Sequence, residues 1–144
     1  MSVMVRIAGP SDAPAAIAMD AVAGRAPQRR DWILRAFAGE KDRVARLALM
    51  DGEPAGFIVV GEFLSFPFVD LIVTAEHARR RGVASALMAA FEGAHAGQKL
   101  FVSTNVSNAR MRALLVARGY VLSGQVDNVD PGDPELFFAR LPAL

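Results

Sequence analysis

One passage does most to limit the fold: the nearly continuous apolar run Phe68-Val69-Asp70-Leu71-Ile72-Val73, which leads into the basic turn Arg79-Arg80-Arg81-Gly82-Val83-Ala84. An apolar run of this kind reads as a central strand covered on both faces, which calls for helices on either side of a sheet. The pattern from Gly82 to Phe91 is helical. A strand end, a basic turn and a helix N-terminus leave backbone N–H groups aimed one way, beside three guanidinium groups. Cations are unfavourable at the positive end of a helix dipole, so their placement there implies an anion. Gly82 lets the backbone approach a phosphate closely and Ala84 leaves it room, so a pyrophosphate-bearing ligand is expected. The plainer alternative is a solvated turn.

The chain is 144 residues long and 53% hydrophobic, enough for one domain over 1–144 with a sizeable core. Its formal net charge is +1, so no global field argues for nucleic acid or an acidic membrane. Cysteine is absent, which removes disulfides, thiolate metal sites and a cysteine nucleophile. With no long apolar run and no leader pattern at the N-terminus, a cytoplasmic location and no membrane association are expected.

In chain order, Val3 to Ala8 alternates as a first strand, and Ser11 or Asp12 caps a helix carrying Ala15, Ile17, Ala18, Met19 and Val22. Gly24 to Pro27 breaks the pattern, and a second helix runs from about Gln28 to Ala38. Val44 to Met50 and Glu53 to Leu64 are strands joined by the hairpin signal Asp51-Gly52. Pro67 punctuates the connection to the strand Phe68–Val73. Beyond the helix at Gly82 come a short buried strand at Leu100 to Ser103 and a helix from Ser107, its N-cap, to about Ala117. Two strands follow, Tyr120 to Ser123 and Leu136 to Leu141. The order predicts an α/β (α+β) class, with a mixed, mostly antiparallel sheet flanked by helices.

These features resemble the GNAT family of N-acetyltransferases. Arg79, Gly82 and Ala84 stand at the fixed places of its acyl-CoA signature, Q/R-x-x-G-x-G/A. Ser107-Asn108, Leu114 and Gly119-Tyr120 are similar to its second pattern, an Asn near a helix start and a closing Gly-aromatic pair. The resemblance implies the acyl-CoA N-acyltransferase fold across essentially the whole chain, with acetyl-CoA as co-substrate and no metal. It places the pyrophosphate on the amides of Arg81, Gly82, Val83 and Ala84, with Arg79 and Arg80 nearby. Leu71, Ile72 and Val73 become backbone partners of the pantetheine arm, with the Val73 amide a donor to the thioester oxygen. Asn108 would bond the arm from the other side; its competing role is a local cap or turn residue.

The implied chemistry suits those residues. Amine attack on a thioester develops an oxyanion, and one backbone N–H aimed at it in a dry site contributes roughly 3 kcal/mol. Holding both substrates side by side supplies proximity without a covalent intermediate. The chain departs from the family at two places: Leu115 stands where many members have a proton-donating tyrosine, and Ser103 where some carry a glutamate base. The candidate bases are therefore Asp70, the lone charge in the apolar strand, and Glu62 on the neighbouring strand. Each has a competing reading, a salt-bridged or bulge position for Asp70 and a surface position for Glu62.

The segment Asp127 to Glu135 carries four carboxylates and two prolines between the last two strands. It reads either as two consecutive turns or as a negative mouth for a cationic amine. Phe63, Phe66 and Phe68 read as core or as walls of an acceptor pocket, and His77 and His95 as surface residues without metal-type partners. The function expected is transfer of an acetyl group from acetyl-CoA to a primary amine of a small molecule or peptide; a non-catalytic acyl-CoA-binding module is the alternative. A nucleotide-binding Rossmann or P-loop protein is disfavoured, because neither G-x-G-x-x-G nor G-K-[ST] occurs. A homodimer is the expected assembly.

Overall fold

A computed structural model describes residues 2–142. The strands are β1 (Val3–Ile7), β2 (Val44–Met50), β3 (Glu53–Phe63), β4 (Phe66–Thr74), β5 (Leu100–Asn105), β6 (Val121–Asp130) and β7 (Asp133–Arg140). The helices are α1 (Ala13–Met19), α2 (Pro27–Phe37), α3 (Val83–Ala94) and α4 (Ala109–Ala117). The seven strands follow the order β1-β2-β3-β4-β5-β7-β6. The sheet is mixed: β4 and β5 run parallel, while the β1–β2, β2–β3, β5–β7 and β6–β7 pairs are antiparallel. Two compact units divide the chain, one reaching to Gly61 and including Leu71–Ala94, the other formed by Glu62–Asp70 and the residues from His95 on.

In the first unit, α1 and α2 supply Ala13, Ala16, Ile33, Ala36 and Phe37 to a core shared with Ala45, Leu47, Phe57 and Val59. Phe37 and Phe57 meet edge to face with centroids 5.6 Å apart, a geometry the ring quadrupoles favour. From α3, Val83, Leu87, Met88 and Phe91 are fully buried. The strand covered on both faces is therefore β3, buried without interruption from Ala55 to Val60. The expectation placed that role on Phe68–Val73, but within that run only Val69 is buried and its neighbours stay half-open. Apolar content alone cannot tell which strand the helices will sandwich.

Turns follow their local chemistry. Asp51 and Gly52 both take positive φ (52° and 84°), the two-residue turn that matches strand twist. The next hairpin turns at Leu64 and Ser65, with φ 51° and 67°, rather than at Pro67. Pro67 lies inside β4 and is buried, and the parallel ladder with β5 starts just after it, at Phe68↔Phe101. α1 stops at Met19, and the buried Asp20 beyond it accepts a hydrogen bond from Arg29 Nη1 at 2.9 Å.

In the second unit β5 alternates cleanly, with Leu100, Val102 and Thr104 buried and Phe101, Ser103 and Asn105 half-exposed. β7 repeats the pattern, burying Leu136 and Phe138 and leaving Phe137 partly open. The acidic segment expected as a loop is instead strand on both sides of a tight Pro131-Gly132 turn, because β6 continues to Asp130. The β6–β7 register shifts between Val126 and Asp130, and Asn128 within that interval has φ 67°. A bulge thus absorbs the residues that read as turn-formers.

Candidate functional site

The basic turn is built by the chain that leaves β4. Glu76–Ala78 form one 3-10 turn with Ala78 fully buried, and Arg79 is extended (φ −66°, ψ 148°). Arg80 and Gly82 then adopt left-handed φ values of 65° and 81°, on either side of Arg81. Such turns curl successive amides into a concavity that suits anions. The Gly82 carbonyl accepts the first helical bond, from the Ala86 N–H at 3.0 Å, so Gly82 caps α3. The N–H groups of Val83 and Ala84 lie in the first turn, where no helical carbonyl precedes them. Arg79, Arg80 and Arg81 are exposed around them. A Cβ added at Gly82 would meet nothing within 4 Å, so the turn opens onto space, as a bulky phosphate requires.

Gly56 on β3 seats this turn, and nothing in the sequence marked it beyond a glycine inside an apolar strand. A Cβ there would lie 2.7 Å from the Val73 carbonyl oxygen, 2.7 Å from Val83 Cγ1 and 3.3 Å from Leu87 Cδ1. The start of α3 and the end of β4 therefore both rest on the bare backbone of Gly56.

β4 presents two different edges. Ala75 N–H donates to the Ala55 carbonyl at 2.8 Å, and the Val73 carbonyl lies against Gly56, so these residues direct backbone groups toward β3. Strand alternation sends the backbone groups of Ile72 and Thr74 to the opposite edge. Leu71 and Val73 pack their side chains against the α1–α2 core. Thr74 was not singled out by the sequence, because strand parity is unreadable until the pairing with β3 is known.

The remaining candidates belong to the second unit. Asp70 is half-buried on β4 and Glu62 is exposed at the end of β3. Asn108 caps α4, its Oδ1 accepting from the Met111 N–H at 3.2 Å; this is the competing role read for Asn108, and the cap was also expected of Ser107. Ser107 instead donates its hydroxyl to Asp133 at 2.6 Å and its N–H to the same carboxylate at 3.0 Å. Asn105 Nδ2 donates to Asp130 at 2.9 Å and to the Asp133 carbonyl at 3.1 Å. Two carboxylates of the acidic segment thus tie the β6–β7 hairpin to the turn before α4. Leu115 is completely buried and Tyr120 is 2% exposed, so both side chains belong to the interior. Among the described residues no cluster of three His, Asp or Glu could hold a metal, and no helix is long and apolar enough to cross a membrane.

The sequence profile of the acetyltransferase (GNAT) family matches residues 14–120. A GNAT-family acetyltransferase from Bacillus cereus is similar in structure at TM-score 0.85, with 30% identity over 100% of both chains. An N-acetyltransferase from Staphylococcus aureus shares the fold at TM-score 0.79 and 20% identity, covering 96% of this chain and 98% of its own. A ribosomal-protein-alanine N-acetyltransferase from Brucella melitensis does so at TM-score 0.75 and 20% identity, covering 96% and 99%. No curated protein sequence matches this one.

Proposed function

The chain belongs to the GNAT acetyltransferase family, and we propose that it is an N-acetyltransferase that moves an acetyl group from acetyl-CoA to a primary amine within a ternary complex. The observation that carries this reading is the open turn at the start of α3, with left-handed Arg80 and Gly82 and no atom within 4 Å of the Gly82 Cβ position. Arg81, Gly82, Val83 and Ala84 would hold the pyrophosphate by their amides, and Arg79 and Arg80 would screen its charge. When bound, acetyl-CoA supplies an activated acyl group as a thioester. The edge of β4 that bears the Ile72 and Thr74 backbone groups would hold the pantetheine arm, with an N–H there, rather than that of Val73, facing the acyl oxygen. Asn108 keeps its side-chain amide nitrogen as a donor besides the capping oxygen. Asp70, half-buried where Glu62 is exposed, is our choice for the group that takes the proton from the incoming ammonium.

Buried Leu115 at the family's proton-donor position favours a second reading, an acyl-CoA-binding module without turnover. Two measurements decide. Calorimetry with acetyl-CoA should show Gly82→Asp weakening binding at least tenfold, whereas Gly82→Ala, which shares the backbone strain but not the charge, keeps most of the affinity. Equal affinities for Gly82→Asp and wild type would refute the site. Release of CoA that depends on an added amine establishes transfer; tight binding with no release across a broad amine panel establishes the second reading.

A further inference from the structure

Five phenylalanines in the second unit stand together on its half-open sheet face. Phe63 lies 5.5 Å from Phe68, 5.5 Å from Phe101 and 5.1 Å from Phe137, centroid to centroid. Phe68 stacks on Phe137 at 6.1 Å, and Phe66 contacts Phe101 at 5.7 Å. None of the five is buried, although the opposite face of the same strands buries Val69, Val102, Leu136 and Phe138. Phe66 is 36% exposed and the other four rings are partly exposed, so this contiguous aromatic patch keeps apolar area that a ligand could cover.

Away from Lys99, which lies over Phe66, the patch is bordered by negative charge. A strand returns to the same face every second residue, so Asp70 follows Phe68 on this side, Ser103 follows Phe101, and Glu135 precedes Phe137. Ser103 is register partner of Phe137, and Asn105 of Glu135. The face therefore passes from rings through a hydroxyl and an amide to carboxylates. A ligand complementary to that sequence of groups has an apolar, preferably aromatic, body and a cationic head, which the carboxylates and ring faces both attract. Lys99 stands over Phe66 at 5.1 Å and already shows a cation on one of these rings.

We propose that this phenylalanine face recognises the acceptor, and that the acceptor is a small primary amine carrying an aromatic or bulky apolar group. The proposal rests on the acetyltransferase reading above and adds the substrate class to it. The rings supply area to the apolar body, while Asp70 and Glu135 orient the ammonium. A polyamine or amino alcohol would leave the rings uncovered and gain only the charge.

The test compares 2-phenylethylamine with ethanolamine and spermidine on the full chain, reading amine-dependent CoA release, with saturation-transfer NMR of each amine on the protein alone. The expected result is a kcat/KM at least tenfold higher for 2-phenylethylamine, with saturation transfer to its ring protons. Phe137→Leu, a conservative change that keeps an apolar residue of the β5–β7 pair, should lose most of that preference while its acetyl-CoA affinity by calorimetry stays unchanged. Equal or better use of the polar amines overturns the proposal and leaves acetyl transfer standing. If acetyl-CoA binds but no amine is acetylated, the catalytic reading falls, and saturation transfer judges the face by itself: no ring signal overturns it. Sedimentation velocity covers the remaining occupant; a dimer that Phe137→Leu dissociates would assign the face to a second copy and overturn the proposal.

Discussion

Gly56→Ala is a small change that should disturb the proposed acyl-CoA site from outside it. The new methyl would sit 2.7 Å from the Val73 oxygen and 2.7 Å from Val83 Cγ1, both inside the closest distance that carbon tolerates. Leu87 Cδ1 at 3.3 Å can give way by rotation, but the Val73 oxygen is backbone and moves only if β4 moves. Val83, at the first position of α3, is 1% exposed, and a close-packed interior resists its rotation. Overpacking of this kind costs roughly 1–3 kcal/mol. For a domain of this size 1 kcal/mol is about 4 °C in Tm, so a drop of about 4–12 °C is expected. The strain is relieved by lifting the start of α3 or the end of β4, and either motion takes the amides proposed to hold the pyrophosphate, or the Ile72 and Thr74 edge, out of place. Acetyl-CoA affinity should therefore fall by about tenfold, a shift of about 1.4 kcal/mol, in a variant that remains folded by circular dichroism. Calorimetric titration and a thermal melt on the same preparation read both effects. A Gly56→Ala protein with wild-type Tm and affinity would refute the seating role of this glycine. A lowered Tm with unchanged affinity would refute the link between the seat and the site.

Other substitutions probe other parts of the argument. Leu115→Tyr, which the family pattern alone suggests as a restored acid, should instead cost roughly 1–3 kcal/mol by overfilling a site with no exposed surface; a urea midpoint equal to wild type together with faster turnover would show that residue 115 faces the substrate. Asp70→Asn should lower kcat by on the order of a hundredfold with KM for acetyl-CoA unchanged and flatten the acid limb of the rate profile, whereas Glu62→Gln should change neither; the reverse pattern in steady-state kinetics would transfer the role to Glu62. Asp12 is held below the ordinary carboxylate range by hydrogen bonds from Arg6 at 2.9 and 3.0 Å and from the Gly9 N–H at 3.0 Å. Because its folded pKa is the depressed one, its stabilisation is complete above the unfolded value of about 4 and disappears as pH falls through the folded value. Denaturant midpoints between about pH 2 and 6 should thus fall more gently for Asp12→Asn than for wild type.

Much of this protein is local and was legible as such. The hairpin at Asp51-Gly52 follows from two residues that tolerate positive φ. The helix start at Gly82 follows from a glycine, an apolar period and an arginine cluster that a helix dipole would otherwise repel. Family membership was legible for the same reason, since its signature lies within one strand, turn and helix start. What depended on distant segments was not legible. β3 and the Phe68–Val73 run are both apolar, and only the arrival of α1 and α2 with Phe57 and Val59, and of α3 at Gly56, decided that β3 is the one buried on both faces. The backbone parity of Ile72 and Thr74 needed the Ala75 to Ala55 bond, which joins two strands. Asp130 and Asp133 read as turn-formers until Asn105 and Ser107 met them across the hairpin. The phenylalanine face was legible only in part: Phe63, Phe66 and Phe68 already read as core or as pocket walls, whereas Phe101 and Phe137 join them only through the register of β4, β5 and β7. Side-chain period along one segment is a property of that segment, whereas burial and contact are properties of whatever the rest of the chain brings to it.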